Sequence, residues 1–420
     1  MNYVVRLFVL VGVGLACSFL ISGCGKSYVD AVPRSSSAKP VFGSGSSPDK
    51  LKKSGDIDFS FVHPDHFAGL SFDVQRIKGR DELKEVPWDS LEEGLAELVG
   101  KANSDLDSIE RVWLLLDRES VTAAMEAKPG GWYVTVLQYR SAPDLKQLAD
   151  ANASREASKS DSSDSDSDPG AEPETDADEN KVAEKPVDAQ LETIAQVIGD
   201  RQIVIGGKLA VEKMMALQSP AEGSRLSRLL SQLDFSSDIE GVVAIEPVRE
   251  TLNSVFGIAA QFGGEEARKF AALPDVLEKI EVRFSLEEDD SELLKIKALI
   301  DDKSMIEEVV TALREAIEYS NANTKPGPSA FGGLYGDAMK PKRGDKDKES
   351  AVAKIAEEVS LEIKEKNLLG VEKADDSVTI RLQKPTKISE LIRAMVEDSE
   401  QIKSELDNED ADQDQAKRNE

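Results

Sequence analysis

The sequence predicts an α+β protein built from two tandem, structurally similar β-α-β-β-α-β units, the element order of a ferredoxin-like domain. Two observations support this prediction. The chain of 420 residues is longer than one hydrophobic core usually organises. Strand and helix patterns also occur twice in the same order, at 56–217 and at 238–397.

The first unit begins with apolar residues at alternate positions, Ile57, Phe59 and Phe61, which predict a strand that ends at His63-Pro64-Asp65. A helix is then predicted from the spacing of Phe67, Leu70, Val74 and Ile77. Further helices are predicted near 88–99, 144–151 and 209–215, and further strands near 110–116, 132–139 and 202–205.

The second unit follows the same order. A strand at 242–245 ends at Glu246-Pro247, as the first predicted strand ends at His63-Pro64, and a helix with an apolar stripe follows. Ile109-Glu110-Arg111-Val112 matches Leu277-Glu278-Lys279-Ile280 in residue type at each position, and Gln202-Ile203-Val204-Ile205 parallels Ser377-Val378-Thr379-Ile380. Another strand is predicted at 294–300, with helices at 305–317, 351–365 and 388–395. If the two units are separate domains, Leu70 and Leu252 should face separate cores.

Several segments lack a core-forming pattern. Residues 154–186 form an acidic insertion with a Ser-Asp run, and almost no aliphatic residue offsets its ordering entropy, so disorder is predicted. A Gly- and Lys-rich loop is expected at 320–350, and an acidic tail at 398–420.

The formal net charge is −28, which disfavours binding to nucleic acid. Both cysteines, Cys17 and Cys24, lie near the N-terminus, so no disulfide and no thiol chemistry are expected in the folded part.

The N-terminus has the pattern of an export signal. Arg6 precedes a mainly apolar run from Leu7 to Leu20, and Ile21-Ser22-Gly23-Cys24 follows. This stretch resembles the lipobox of bacterial lipoproteins. The resemblance implies removal of residues 1–23, lipidation of Cys24 by acyl chains such as palmitate, and a flexible tether over 24–55.

Two alternatives to this anchor are an uncleaved helix and lipidation at Cys17. The apolar run is shorter than a membrane span, and Gly14 occupies the aliphatic position before Cys17. Gly25 is not the Asp that retains family members in an inner membrane, so the family rule favours the outer membrane. The body loosely resembles uncharacterised exported bacterial proteins with repeated α+β units.

The sequence gives no catalytic, cofactor-binding or metal-binding residue. His63 and His66 lack a third ligand in the sequence, and we interpret them with Asp65 as a helix N-terminus. Asp164, Asp166 and Asp168 resemble part of a calcium loop, but Pro169 stands where that loop needs glycine. Gly332-Gly333-Leu334-Tyr335-Gly336 lacks the ending of a phosphate loop, and Trp113 and Trp132 are expected in the core.

These observations favour a non-enzymatic, lipid-anchored envelope protein that binds or scaffolds another component. Its expected partners are the membrane, through the anchor, and another envelope protein or polymer. The alternative is an exported hydrolase that uses acidic residues for acid-base catalysis.

Overall fold

The computed structural model describes residues 57, 59–84, 86–118, 134–162, 193–216, 224–262, 273–287, 292–323, 351–395 and 397. The lipidation candidate Cys24 and Trp132 lie outside these residues. The predicted disordered insertion at 154–186 is wrong at its start, because a helix that begins at Leu145 continues to Ser162, and its remainder lies outside the described residues. The first residues of the loop predicted at 320–350 are likewise helical, up to Asn323, and 324–350 lie outside the description.

Ten strands form one sheet. The first five are β1 (His66–Asp73), β2 (Ile109–Asp117), β3 (Val134–Tyr139), β4 (Thr193–Ile198) and β5 (Gln202–Gly207). The second five are β6 (Ile239–Ala244), β7 (Leu277–Phe284), β8 (Glu292–Ile300), β9 (Leu369–Lys373) and β10 (Ser377–Gln383).

The strand order is β4-β5-β3-β2-β1-β6-β7-β8-β10-β9, and every neighbouring pair is antiparallel. Outward from the central β1–β6 pair, the first half runs β1-β2-β3-β5-β4 and the second half runs β6-β7-β8-β10-β9. The two halves therefore share one strand order. The α+β class is confirmed.

The ferredoxin-like arrangement is not confirmed. A βαβ crossover joins parallel strands, whereas β1 and β2, which have helices between them in the chain, pair antiparallel, and so do β3 and β5. Each half also has five strands rather than the expected four, because β4 and β9 each add a strand before β5 and β10.

The helices are α1 (Val74–Lys78), α2 (Trp88–Val99), α3 (Leu145–Ser162), α4 (Lys208–Ala216), α5 (Arg225–Leu230), α6 (Arg249–Phe262), α7 (Leu273–Val276), α8 (Ile306–Asn323) and α9 (Ala351–Glu365). Residues 388–395 are also helical. We call the side of the sheet that packs against α2, α8 and α9 the helix-covered face, and the other side the opposite face.

The first predicted strand and helix are wrong. Residues 59–65 contain turns rather than a strand, and the predicted helix over 67–77 is mostly strand β1 followed by the short α1. Seven of the eight β1 residues are buried. A central strand buried on both faces carries a near-continuous apolar pattern, which fits helical spacing equally well.

This error affects the predicted repeat. Pro64 precedes β1, whereas Pro247 follows β6, so the two prolines are not equivalent. The other two matches do fall on corresponding strands: Ile109-Glu110-Arg111-Val112 begins β2 where Leu277-Glu278-Lys279-Ile280 begins β7, and the later pair lies on β5 and β10.

The two halves do not have separate cores. Leu70 packs in one apolar cluster with Val282, Phe284 and Val359 of the second half, so its predicted separate core is wrong. Leu252 packs against the clusters around Val248 and Val309.

Two contacts join the halves at the centre of the sheet. A Cβ added at Gly241 would lie 2.4 Å from Leu70 Cδ2 and 2.5 Å from the Gly69 carbonyl oxygen, so β1 and β6 approach closely there. Arg80 donates from Nε (2.9 Å) and Nη2 (2.7 Å) to Asp238 Oδ1. Asp238 Oδ2 accepts from the Leu286 N–H at 2.6 Å, which ties this buried ion pair to the end of β7.

Candidate binding face

The opposite face of the first half is covered by this chain's own apolar side chains. Trp113 of β2 is fully buried there, with its ring centroid 5.5 Å from those of Phe59 and Phe61 and 5.3 Å from that of Phe235. Helices α4 and α5 complete the cover through Val211, Met214, Leu226, Leu229 and Leu230.

The same face of the second half carries charged side chains. Arg283 of β7 lies opposite Lys295 of β8, which lies opposite Arg381 of β10. The next row on this face is Glu281, Lys297 and Thr379. We define the charged face as Lys279, Glu281, Arg283, Lys295, Lys297, Thr379 and Arg381.

Strand alternation explains this surface. Charged and apolar residues alternate at 279–284, so Ile280 and Val282 point into the core while Glu281 and Arg283 point away from it. On β8, Ile296 and Ala298 pack against the core clusters, and Lys295 and Lys297 occupy the other side. The buried apolar clusters thus lie on the helix-covered side of these strands.

Carboxylates pair with the cations at the margins of the charged face. Arg283 lies 3.2 Å from Asp234 Oδ2 through Nη1, and 3.8 Å from Glu240 Oε2 through Nε. Lys279 Nζ lies 2.8 Å from Glu281 Oε1.

At the far margin, Arg381 lies 2.6 Å from Glu292 Oε1 through Nη1 and 3.0 Å from Glu372 Oε2 through Nε. These partners come from β8 and from β9, the edge strand of the sheet.

The centre of the charged face is different. Neither Lys295 nor Lys297 makes a hydrogen bond or ion pair with any described residue, and both side chains are partly exposed. Lys295 also lies directly between two arginines on neighbouring strands, and like charges in such cross-strand positions repel. An anion bound along β8 would relieve this repulsion.

Hydrogen bonds connect the charged face to the covered half at their border. Glu240 of β6 accepts from the Ser237 N–H (2.7 Å) and the Phe235 N–H (3.2 Å), and burial raises the pKa of this carboxyl group. Lys279 Nζ donates to Gln232 Oε1 at 3.0 Å. The segment after α5 is therefore held at the edge of the charged face.

The two histidines lie in a turn that leads into β1, whose first residue is His66, rather than at the predicted helix N-terminus. His66 Nδ1 accepts from the His63 N–H (2.9 Å), and His63 Nδ1 accepts from the Asp65 N–H (3.0 Å). Burial lowers the pKa of His66 to about 3 and also lowers the pKa of His63. Asp65 pairs with Lys213 of α4 at 3.0 Å.

The described residues contain no group of three His, Cys, Asp or Glu side chains arranged to hold a metal ion. Within the same residues, no helix has the length and apolar character needed to span a membrane. Cys24 and the incomplete calcium loop at Asp164, Asp166 and Asp168 lie outside the described part of the chain.

The charged face is not among the features predicted from the sequence. Its signal is the alternation of charged and apolar residues at 279–284 and at 294–298. That alternation predicts one solvated side for each strand, but it does not reveal that the solvated sides lie next to one another.

No family model matches this chain, and no curated protein matches it significantly. Crystal forms I and III of a protein named TP0453 are similar at TM-scores of 0.37 and 0.34, each with 9% sequence identity. These matches cover 82% and 81% of this chain, and 99% and 100% of the TP0453 chains.

Proposed function

We propose that the protein is a lipid-anchored, non-enzymatic binding protein of the bacterial envelope, and that an anionic partner binds to its charged face. The observation that carries this proposal is the position of Lys295 and Lys297. Both are unpaired among the described residues, and they lie between ion-paired neighbours in the middle of a sheet surface.

The anchor in this proposal is Cys24. Its acyl chains would hold the protein at the membrane, since each buried CH₂ contributes about 0.8 kcal/mol and several chains together give stable attachment. The tether over 24–55 would then separate the folded part from the outer membrane.

We further propose that the two halves are structurally similar units related by duplication. Their identical strand order supports this, as do the two matched sequence pairs that fall on corresponding strands. Under this proposal, one copy kept an internal cover on the opposite face and the other copy kept a surface for a partner.

Binding to poly-L-glutamate tests the charged face, with the chain from residue 25 onward as the protein. We expect Lys295→Gln with Lys297→Gln to weaken binding by about tenfold or more, because charge-assisted contacts are lost. The matched control is Lys101→Gln with Lys303→Gln, which removes the same charge from exposed positions elsewhere and should change the affinity less than about twofold. Equal weakening in both variants would show that only net charge matters, and would overturn the proposed face.

A further inference from the structure

We infer that the Ser-Asp segment at 163–168 of one copy of this chain docks on the charged face of a second copy. This inference rests on the proposed function and names the partner of the same surface. It makes the protein a self-associating scaffold.

Carboxylates are the groups that already form ion pairs with the arginines of this surface. Asp234 and Glu240 neutralise Arg283, and Glu292 and Glu372 neutralise Arg381. Among the described residues, Lys295 and Lys297 of β8 form no ion pair with a carboxylate. An acidic polypeptide laid along β8 would complete a pattern that the margins of the face already show.

The spacing of the charges matches. Lys295 and Lys297 are two residues apart on β8, which places them about 7 Å apart on the same side of the strand. Asp164, Asp166 and Asp168 also occur at every second position. In an extended chain their carboxylates share one side with the same spacing of about 7 Å. The segment can therefore present one carboxylate to each lysine.

Reaching this surface within one chain would require nearly full extension of the segment. Arg155 of α3 donates to the Thr193 carbonyl oxygen of β4, and seven strand spacings, about 34 Å, separate β4 from β8. From Arg155, the remaining helix to Ser162 rises about 10 Å, and even full extension adds only about 14 Å to Asp166 or 21 Å to Asp168. A second copy can supply the segment without such stretching.

Such a contact joins two different surfaces of the same protein. A head-to-tail contact of this kind leaves one free segment and one free face at the ends of each assembly, so it can continue from copy to copy. The net charge of −28 opposes close approach, but at about 0.15 M salt the Debye length of about 8 Å confines the interaction to local charges.

A mixing experiment tests this inference with two variants of the chain from residue 25 onward. The face variant carries Lys295→Gln and Lys297→Gln, and the segment variant carries Asp164→Asn, Asp166→Asn and Asp168→Asn. We expect wild type to self-associate in sedimentation velocity at about 0.15 M salt, and each variant alone to remain monomeric. An equimolar mixture should form a 1:1 dimer, because each variant keeps the surface that the other lacks. A wild type that stays monomeric, or a mixture that does not dimerise, would overturn the inference.

A labelled peptide of residues 160–170 provides a second measurement by fluorescence anisotropy. We expect this peptide to bind wild type, and its affinity to fall about tenfold when its aspartates are replaced by asparagine. A peptide of the same composition with the aspartates at consecutive positions should also bind more weakly. Tighter binding of polyphosphate at equal charge would overturn the assignment to an acidic polypeptide. If poly-L-glutamate binds the face and the peptide does not, the proposed function stands and this inference fails.

Discussion

The two halves of the sheet have the same strand order but opposite chemistry on one face. In the first half that face is apolar and is closed by residues 59–62, α4 and α5, whereas in the second half it is charged. A shared topology thus sets where strands lie, and the residues at every second strand position decide whether a face becomes core or surface.

The helices that follow β5 and β10 show how this difference arises. They occupy the same place in the element order, but α4 buries Val211 and Met214 with the opposite-face cluster of Trp113. The helix at 388–395 buries Ile388 and Leu391 with Phe284 and Leu382, on the helix-covered face. The second half therefore uses its last helix to enlarge the shared core, and that helix is not available to cover the charged face.

The strongest test of this comparison is at the junction. Asp238→Ala would leave the Arg80 guanidinium and the Leu286 N–H without their buried acceptor. We expect the free energy of unfolding to fall by about 3–5 kcal/mol, with both halves unfolding together in one transition. Urea unfolding followed by Trp fluorescence and circular dichroism measures this effect. Two separate transitions would show that the halves are independent units after all.

The close approach of β1 and β6 gives the next largest effect. Gly241→Ala places a Cβ against Leu70 and the Gly69 carbonyl oxygen, and a backbone atom cannot move aside cheaply. We expect a loss of about 3 kcal/mol in urea unfolding. Gly370→Ala is the matched control, because a Cβ on this β9 glycine meets nothing within 4 Å. A similar loss in the control would point to strand glycines in general rather than to the junction.

Sequence reasoning predicted the class and most strands, and its errors have physical causes. The apolar run in His66–Asp73 does not distinguish a doubly buried strand from a helix, and only pairing with β2 and β6 decides between them. The short edge strands β4 and β9 have few buried residues, so their patterns are weak.

The charged face was harder to predict from the sequence than the strands were. Its charges are visible as alternation within β7 and β8, but their alignment depends on the register that places Arg283, Lys295 and Arg381 in one row. The last described helix, at 388–395, packs in the shared core rather than on the charged face, and this is a long-range contact that local patterns do not contain.

Acid should destabilise the covered half through His66. Because the pKa of His66 is about 3 in the folded protein against 6.5 for the free side chain, the unfolded chain takes up a proton that the folded chain does not. This contribution to stability is fully present above about pH 6.5 and is lost as pH falls towards 3. At pH 5 the loss is about 2 kcal/mol.

Urea unfolding at pH 5 and pH 8 measures this loss, with His66→Asn as the comparison. The Asn carbonyl oxygen can still accept from the His63 N–H but does not titrate, so the variant should lose about 2 kcal/mol less between the two pH values than wild type. An identical pH dependence in both proteins would assign the acid sensitivity to other groups.

The smallest effect concerns the cost of the charged face itself. Lys295 lies between Arg283 and Arg381, so Lys295→Gln should remove like-charge repulsion and raise the free energy of unfolding by about 0.2–1 kcal/mol at low salt. High salt should reduce this gain, because it screens exposed charges, and Lys303→Gln at an exposed position should change little. If Lys295→Gln destabilises the protein instead, the lysine contributes to the fold, and the charged face would be a structural surface rather than one maintained for a partner.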